Sequence, residues 1–198
     1  MGRVITQFSR HLRNPRTIAL LVLAALILWW PVTRLYYYAW VTSVGGTPKR
    51  QTDFNLLQRV LPPADATLVT VLGGLPHQRY EKTVLLTELL TTGTVSRGGY
   101  RFRSTPRSIP QELSGALTKA LSNPSLYFPY AGPKMCGGYH PDYCFQWRSP
   151  NGESSSLLLC TGCFEAIIIC GGYELHCDVN IGPEGKRLDG LLRELKAH

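Results

Sequence analysis

The chain has 198 residues, of which 21 are basic and 13 acidic, giving a formal charge of +8 at neutral pH. That length suits one membrane segment and one globular domain of about 150 residues and excludes a second full domain. Seven basic residues (Arg3, Arg10, Arg13, Arg16, Arg34, Lys49, Arg50) and no acid precede Asp53; the remaining 14 basic and 13 acidic residues nearly cancel, which excludes a nucleic-acid surface spread over the domain.

Residues 1–17 read as a basic cytoplasmic tail. From Ile18 to Trp30 every residue is apolar, and residues 18–41 supply roughly the 20 residues that a transmembrane helix needs. Trp29, Trp30, Tyr36, Tyr37, Tyr38 and Trp40 crowd the second half, as at a membrane interface. Large residues follow the apolar run where a signal-peptide cleavage site requires small ones, so the segment reads as an uncleaved signal-anchor. The arginines of the tail keep it inside. The expected placement is a single pass through the inner (plasma) membrane, contacting the bilayer through residues 18–41, with a periplasmic C-terminal domain.

Residues 42–52, with Gly45-Gly46-Thr47-Pro48, read as a linker, and the domain occupies 53–198. A helix over Asp53–Leu61 is closed by Pro62-Pro63. Leu68, Thr70 and Leu72 alternate as in a strand, and Glu81–Thr92 reads as a helix stopped by Gly93. Tyr100–Arg103 alternates aromatic with basic residues, predicting a strand with Tyr100 and Phe102 on one face. Pro110–Leu121 predicts a helix with Ser108 as cap candidate and a core stripe of Leu113, Leu117 and Leu121.

Tyr143, Phe145 and Trp147 alternate with Cys144, Gln146 and Arg148, and the loop beginning Ser149-Pro-Asn-Gly leads into Ser156–Cys160, the pattern of a hairpin. Ala166–Cys170, a Gly171-Gly172 turn and Tyr173–Val179 predict two more strands. After Pro183, Leu188, Leu191, Leu192 and Leu195 share one helical face. The predicted fold class is α+β: an N-terminal single transmembrane helix followed by a small antiparallel sheet of three or four strands packed with helices.

All six cysteines fall in the sheet region 136–179. Outside the cytosol an even count reads first as disulfides. A three-residue loop in the first hairpin sets Cys144 opposite Cys160, and a two-residue loop sets it opposite Leu159; a two-residue Gly171-Gly172 turn sets Cys177 opposite Ala166. The competing reading is a zinc site of Cys136, His140, Cys160 and Cys163, three thiolates and an imidazole, so the cofactor expectation is none or zinc. A redox Cys160-x-x-Cys163 pair is opposed by the β-branched run after Phe164, because such thiolates sit at a helix N-terminus, and haem attachment would need His in place of Phe164. Arg97, Arg101, Arg103 and Arg107 read as a solvated strand face in preference to a lipid-headgroup contact. His77 reads as a loop histidine without a visible partner, and Asp142 and Glu165 as capping or solvated.

The motif pair Cys136-Gly-Gly-Tyr-His-Pro-Asp142 through Trp147 and Leu159-Cys-x-Gly-Cys-x-Glu165 resembles one in uncharacterised bacterial membrane-anchored or envelope proteins. The resemblance spans residues 136–165. It implies that Cys136, His140, Cys160 and Cys163 act together and supplies no activity; Phe164 stands where those relatives commonly carry His. The functional expectation is an extracytoplasmic binding or structural module whose partner is an unknown envelope protein and not nucleic acid. The alternative is a thiol-redox or metal-dependent enzyme, which would need a low-pKa thiol or an open coordination position.

Overall fold

A computed structural model of the protein describes residues 15, 18–20, 22–25, 29, 53–63, 65–77, 80–134, 138–149 and 152–198. The chain divides into two compact units, Met1–Gly46 and Thr47–His198. In the first, residues 15, 18–20, 22–25 and 29 are helical. Among the described residues no helix is long and apolar enough to cross a membrane. This corrects the expected transmembrane helix and signal-anchor at 18–41, a span of about 20 apolar helical residues, of which residues 21, 26–28 and 30–41 lie outside the described residues. Most of the predicted tail and all of the linker, residues 42–52, lie outside the described residues.

In the second unit, helices α1 (Leu57–Val60), α2 (Lys82–Thr91), α3 (Gln111–Leu121) and α4 (Pro183–Ala197) accompany strands β1 (Thr67–Gly73), β2 (Thr94–Arg97), β3 (Tyr100–Arg103), β4 (Tyr127–Pro129), β5 (Tyr143–Arg148), β6 (Ser154–Cys160), β7 (Glu165–Cys170) and β8 (Tyr173–Val179). The strands β1-β5-β6-β7-β8-β4 form one six-stranded antiparallel sheet, and β2-β3 form a separate hairpin. The expected small sheet is therefore corrected to a larger one. The three residues of β4 include Pro129, which cannot donate to a ladder and is tolerated because the strand lies at an edge.

Register follows from the turns. Gly171 and Gly172 have φ of +55° and +81°, the left-handed pair that a two-residue hairpin turn requires, and Cys177 duly faces Ala166. The β5–β6 loop is longer than either expected length, running from 149 to 153, so Cys144 faces Leu158.

The sheet has two dissimilar faces. On one, the cross-strand row Val71, Phe145, Leu157, Ile168 and Leu175 is wholly buried beneath Leu113, Leu117 and Leu121 of α3 and Leu188, Leu192 and Leu195 of α4. Each such side chain contributes about 2 kcal/mol of hydrophobic stabilisation. Trp147 joins these layers by donating from Nε1 to Thr118 Oγ1 at 3.0 Å. On the other face the row Leu72, Cys144, Leu158 and Ile167 is covered by Phe102 and Val95 of the β2–β3 hairpin, and it ends on a buried histidine, His176.

Candidate functional site: a buried charge network behind Phe164

Cys160 closes β6, and the turn that follows carries Cys163 and Phe164 into β7. The Cys160 sulfur accepts the backbone N–H of Cys163 at 3.3 Å and that of His140, so His140 does approach it, but through its backbone. Its imidazole turns to the His77 ring, 4.9 Å away between centroids. Cys163 is held in a disulfide, Cys144, Cys160, Cys170 and Cys177 are free thiols, and Cys136 lies outside the described residues. Among the described residues no three metal-ligating side chains converge. The disulfide framework expected of six clustered cysteines is corrected to one bridged cysteine and four free thiols among the described residues, and Cys136, one of the four candidate metal ligands, lies outside them.

The free thiols are not activated. Burial pushes the Cys160 thiol up, outweighing the two backbone N–H groups that favour its thiolate, while Asp142 and Glu165 push in the same direction as burial. Burial raises Cys144 to about 12 despite Arg97, and it raises Cys170 and Cys177 as well. A nucleophilic or redox cysteine has its pKa lowered, so these behave as small core residues. Asp142 ties this end of the sheet together: its Oδ2 accepts both the backbone N–H and the hydroxyl of Thr161 at 2.7 Å. His77 is not isolated either, since its N–H donates to Glu81 Oε2 at 2.7 Å and its ring meets Tyr80 as well as His140.

A charged cluster lies beside this turn, on the sheet face that ends on His176. In the β7–β8 register Glu165 faces Asp178 and Ile167 faces His176, which makes Glu165 and His176 diagonal neighbours on one face. His176 Nε2 and Glu165 Oε2 are 3.0 Å apart, with the two side chains only 4% and 3% exposed. Tyr130 stacks on the imidazole at 3.9 Å, and Tyr139 meets it edge-on at 5.4 Å. Tyr139 is itself pinned by donating its hydroxyl to Leu158 O.

Lys134 links this pair to the turn. Its ammonium lies 2.9 Å from Asp178 Oδ1, an ion pair without hydrogen-bond alignment, and 3.8 Å from Glu165 Oε1. It also donates to the carbonyls of Cys163 at 2.8 Å and Phe164 at 3.2 Å, and the Phe164 carbonyl accepts a second hydrogen bond, from Val179 N. Removing such groups from water costs several kcal/mol per ion unless partners compensate, so four charged or titratable side chains gathered at one turn are not there for hydrophobic stability.

What the network holds is Phe164. Among the described residues it is the one non-glycine with positive φ, +53°, a conformation that costs roughly 1–2 kcal/mol for a residue bearing Cβ. Its side chain is 51% exposed. Strain at an exposed aromatic, over-determined by its surroundings, is the pattern of a functional position. The sequence carried one signal for this site, namely Glu165 at the head of the otherwise apolar strand β7; Lys134 comes from a loop 31 positions before Glu165 and could not be foreseen.

The chain matches no protein-family model, no curated protein and no solved structure. The functional reading therefore rests on geometry alone.

Proposed function

We propose that the Thr47–His198 unit is a binding module that docks a partner protein by inserting the Phe164 ring into an apolar pocket of that partner. The observation that carries this reading is the left-handed, half-exposed Phe164 clamped through its own carbonyl by Lys134 and Val179. Rigid aromatic anchors dominate binding energy because they bury a large area at little cost in conformational entropy. A pre-set backbone reduces that cost further. The raised thiols weigh against the enzymatic alternative, which would need a lowered one. The disulfide on Cys163 suits an oxidising compartment, which supports an extracytoplasmic position for the unit.

The test is a photo-crosslinking amino acid placed at Phe164 in the full chain within producing cells, with Tyr173 as the control because it sits at the opposite end of the β7–β8 hairpin and is also exposed. A discrete protein adduct from position 164 and none from position 173 is expected. No adduct at 164, or the same adducts from both positions, contradicts the reading.

A further inference from the structure

We propose that Arg107, together with Tyr143 and the neighbouring Arg103, forms a binding site for a ligand oxyanion, a phosphate or carboxylate group. This site stands apart from the Phe164 surface and does not depend on it. The basic stretch 97–107 divides in the folded chain: Arg101 is exposed, whereas Arg103 and Arg107 converge over Gly73. A Cβ at Gly73 would lie 3.2 Å from Arg103 Nη1 and 3.6 Å from both Nε and Nη2 of Arg107, which places the two guanidinium groups side by side over this glycine.

Only one of them is neutralised there. Arg103 makes a bidentate pair with Glu88, at 2.9 and 2.7 Å, and gives its third nitrogen to Gly74 O at 2.6 Å. Arg107 is anchored through its backbone, whose N–H donates to Val71 O at 2.9 Å, and its guanidinium lies 5.8 Å above the Tyr143 ring. Among the described residues that guanidinium has no hydrogen-bond acceptor, leaving its planar fork of donors open. Tyr143 faces Gly73 across the β1–β5 ladder, is 2% exposed, and its hydroxyl makes no hydrogen bond to a described residue. The Tyr143 hydroxyl and the Arg107 guanidinium thus lie side by side as donors with no acceptor among the described residues, a set that an oxygen anion arriving from solvent would satisfy. The nearest competing carboxylate, Asp142, is engaged by Thr161. Burial raises the Tyr143 phenol against the opposing field of Arg107, so the hydroxyl stays protonated and able to donate at neutral pH.

The experiment titrates the full-length chain with inorganic phosphate and separately with acetate, reading the Arg107 Nε–Hε signal by NMR. A saturable shift at Arg107 with either anion is expected, weakened about tenfold in Tyr143→Phe by loss of one charge-assisted hydrogen bond. Arg107→Lys, which keeps the charge but not the fork, should weaken it about tenfold. An unchanged Trp147 indole signal shows that each variant is folded. Vesicles of phosphatidylglycerol distinguish the sources: an Arg107-dependent response to vesicles with none to free phosphate assigns a lipid headgroup, and the reverse assigns a soluble anion. Non-saturating shifts shared with the exposed Lys186 and Arg187, or equal binding by Arg107→Lys, would mean an adventitious ion only and overturn the proposal.

Discussion

Single residues define the site through conflicts between their own preferences and their surroundings. Phe164 sits where glycine or asparagine would be unstrained, so Phe164→Asn should change unfolding free energy by less than about 1 kcal/mol, relief of strain offsetting the lost half-buried ring. A loss above about 3 kcal/mol in chemical denaturation would show the ring to be a core element, as large aromatic truncations in cores are. The thiols provide a second check at this scale. Alkylation of the native protein followed by mass spectrometry should modify the partly exposed Cys170 well before the buried Cys144 and Cys177, and Cys163 only after reduction. Cys144, raised from 9.0 to about 12, binds its proton more tightly folded than unfolded. Its contribution is therefore complete below about pH 9 and is lost as pH climbs toward 12. Stability should fall over that window with a shallower slope in Cys144→Ala. Glu165 shows why the site was hard to read: composition alone makes a carboxylate solvated, and only the strand register places this one 3% exposed against His176.

At the scale of elements, what was legible followed local periodicity. The α3 stripe Leu113, Leu117 and Leu121 and the α4 residues Leu188, Leu192 and Leu195 are buried as their spacing requires, and the Gly171-Gly172 turn alone determined the β7–β8 register. Long-range pairing was not legible. β1 pairs with β5 some 70 positions along the chain, and β4 is only three residues long, so neither leaves a local pattern that says where it docks. One contact fastens β1 to the site: Gly74 N donates to Asp142 O at 2.7 Å, and a Cβ on Gly74 would approach Pro141 O to 2.1 Å. Gly74→Ala cannot be relieved by a rotamer change because the obstacle is backbone. It should cost about 2 kcal/mol or more and lower the thermal midpoint by about 5 °C or more. A midpoint within 1 °C or so of wild type would mean that the β1 end moves freely.

Across the Thr47–His198 unit the two faces of one sheet divide the labour, one covered by α3 and α4 and carrying most of the stability, the other covered by a hairpin and ending on the charge network. Charges were read from the sequence as a near-neutral total, which conceals that Glu165, Asp178, His176 and Lys134 meet at one turn while Arg103 and Arg107 meet at another. The central claim is that the first cluster exists to present Phe164. Its most direct measurement is the yield of the position-164 photo-crosslink in Lys134→Met and Lys134→Arg backgrounds, each verified as folded by its thermal transition. Lys134→Met removes the donor to the Cys163 and Phe164 carbonyls and should reduce the adduct about tenfold, a difference of about 1.4 kcal/mol, while Lys134→Arg retains most of it. An undiminished adduct in folded Lys134→Met would contradict the account.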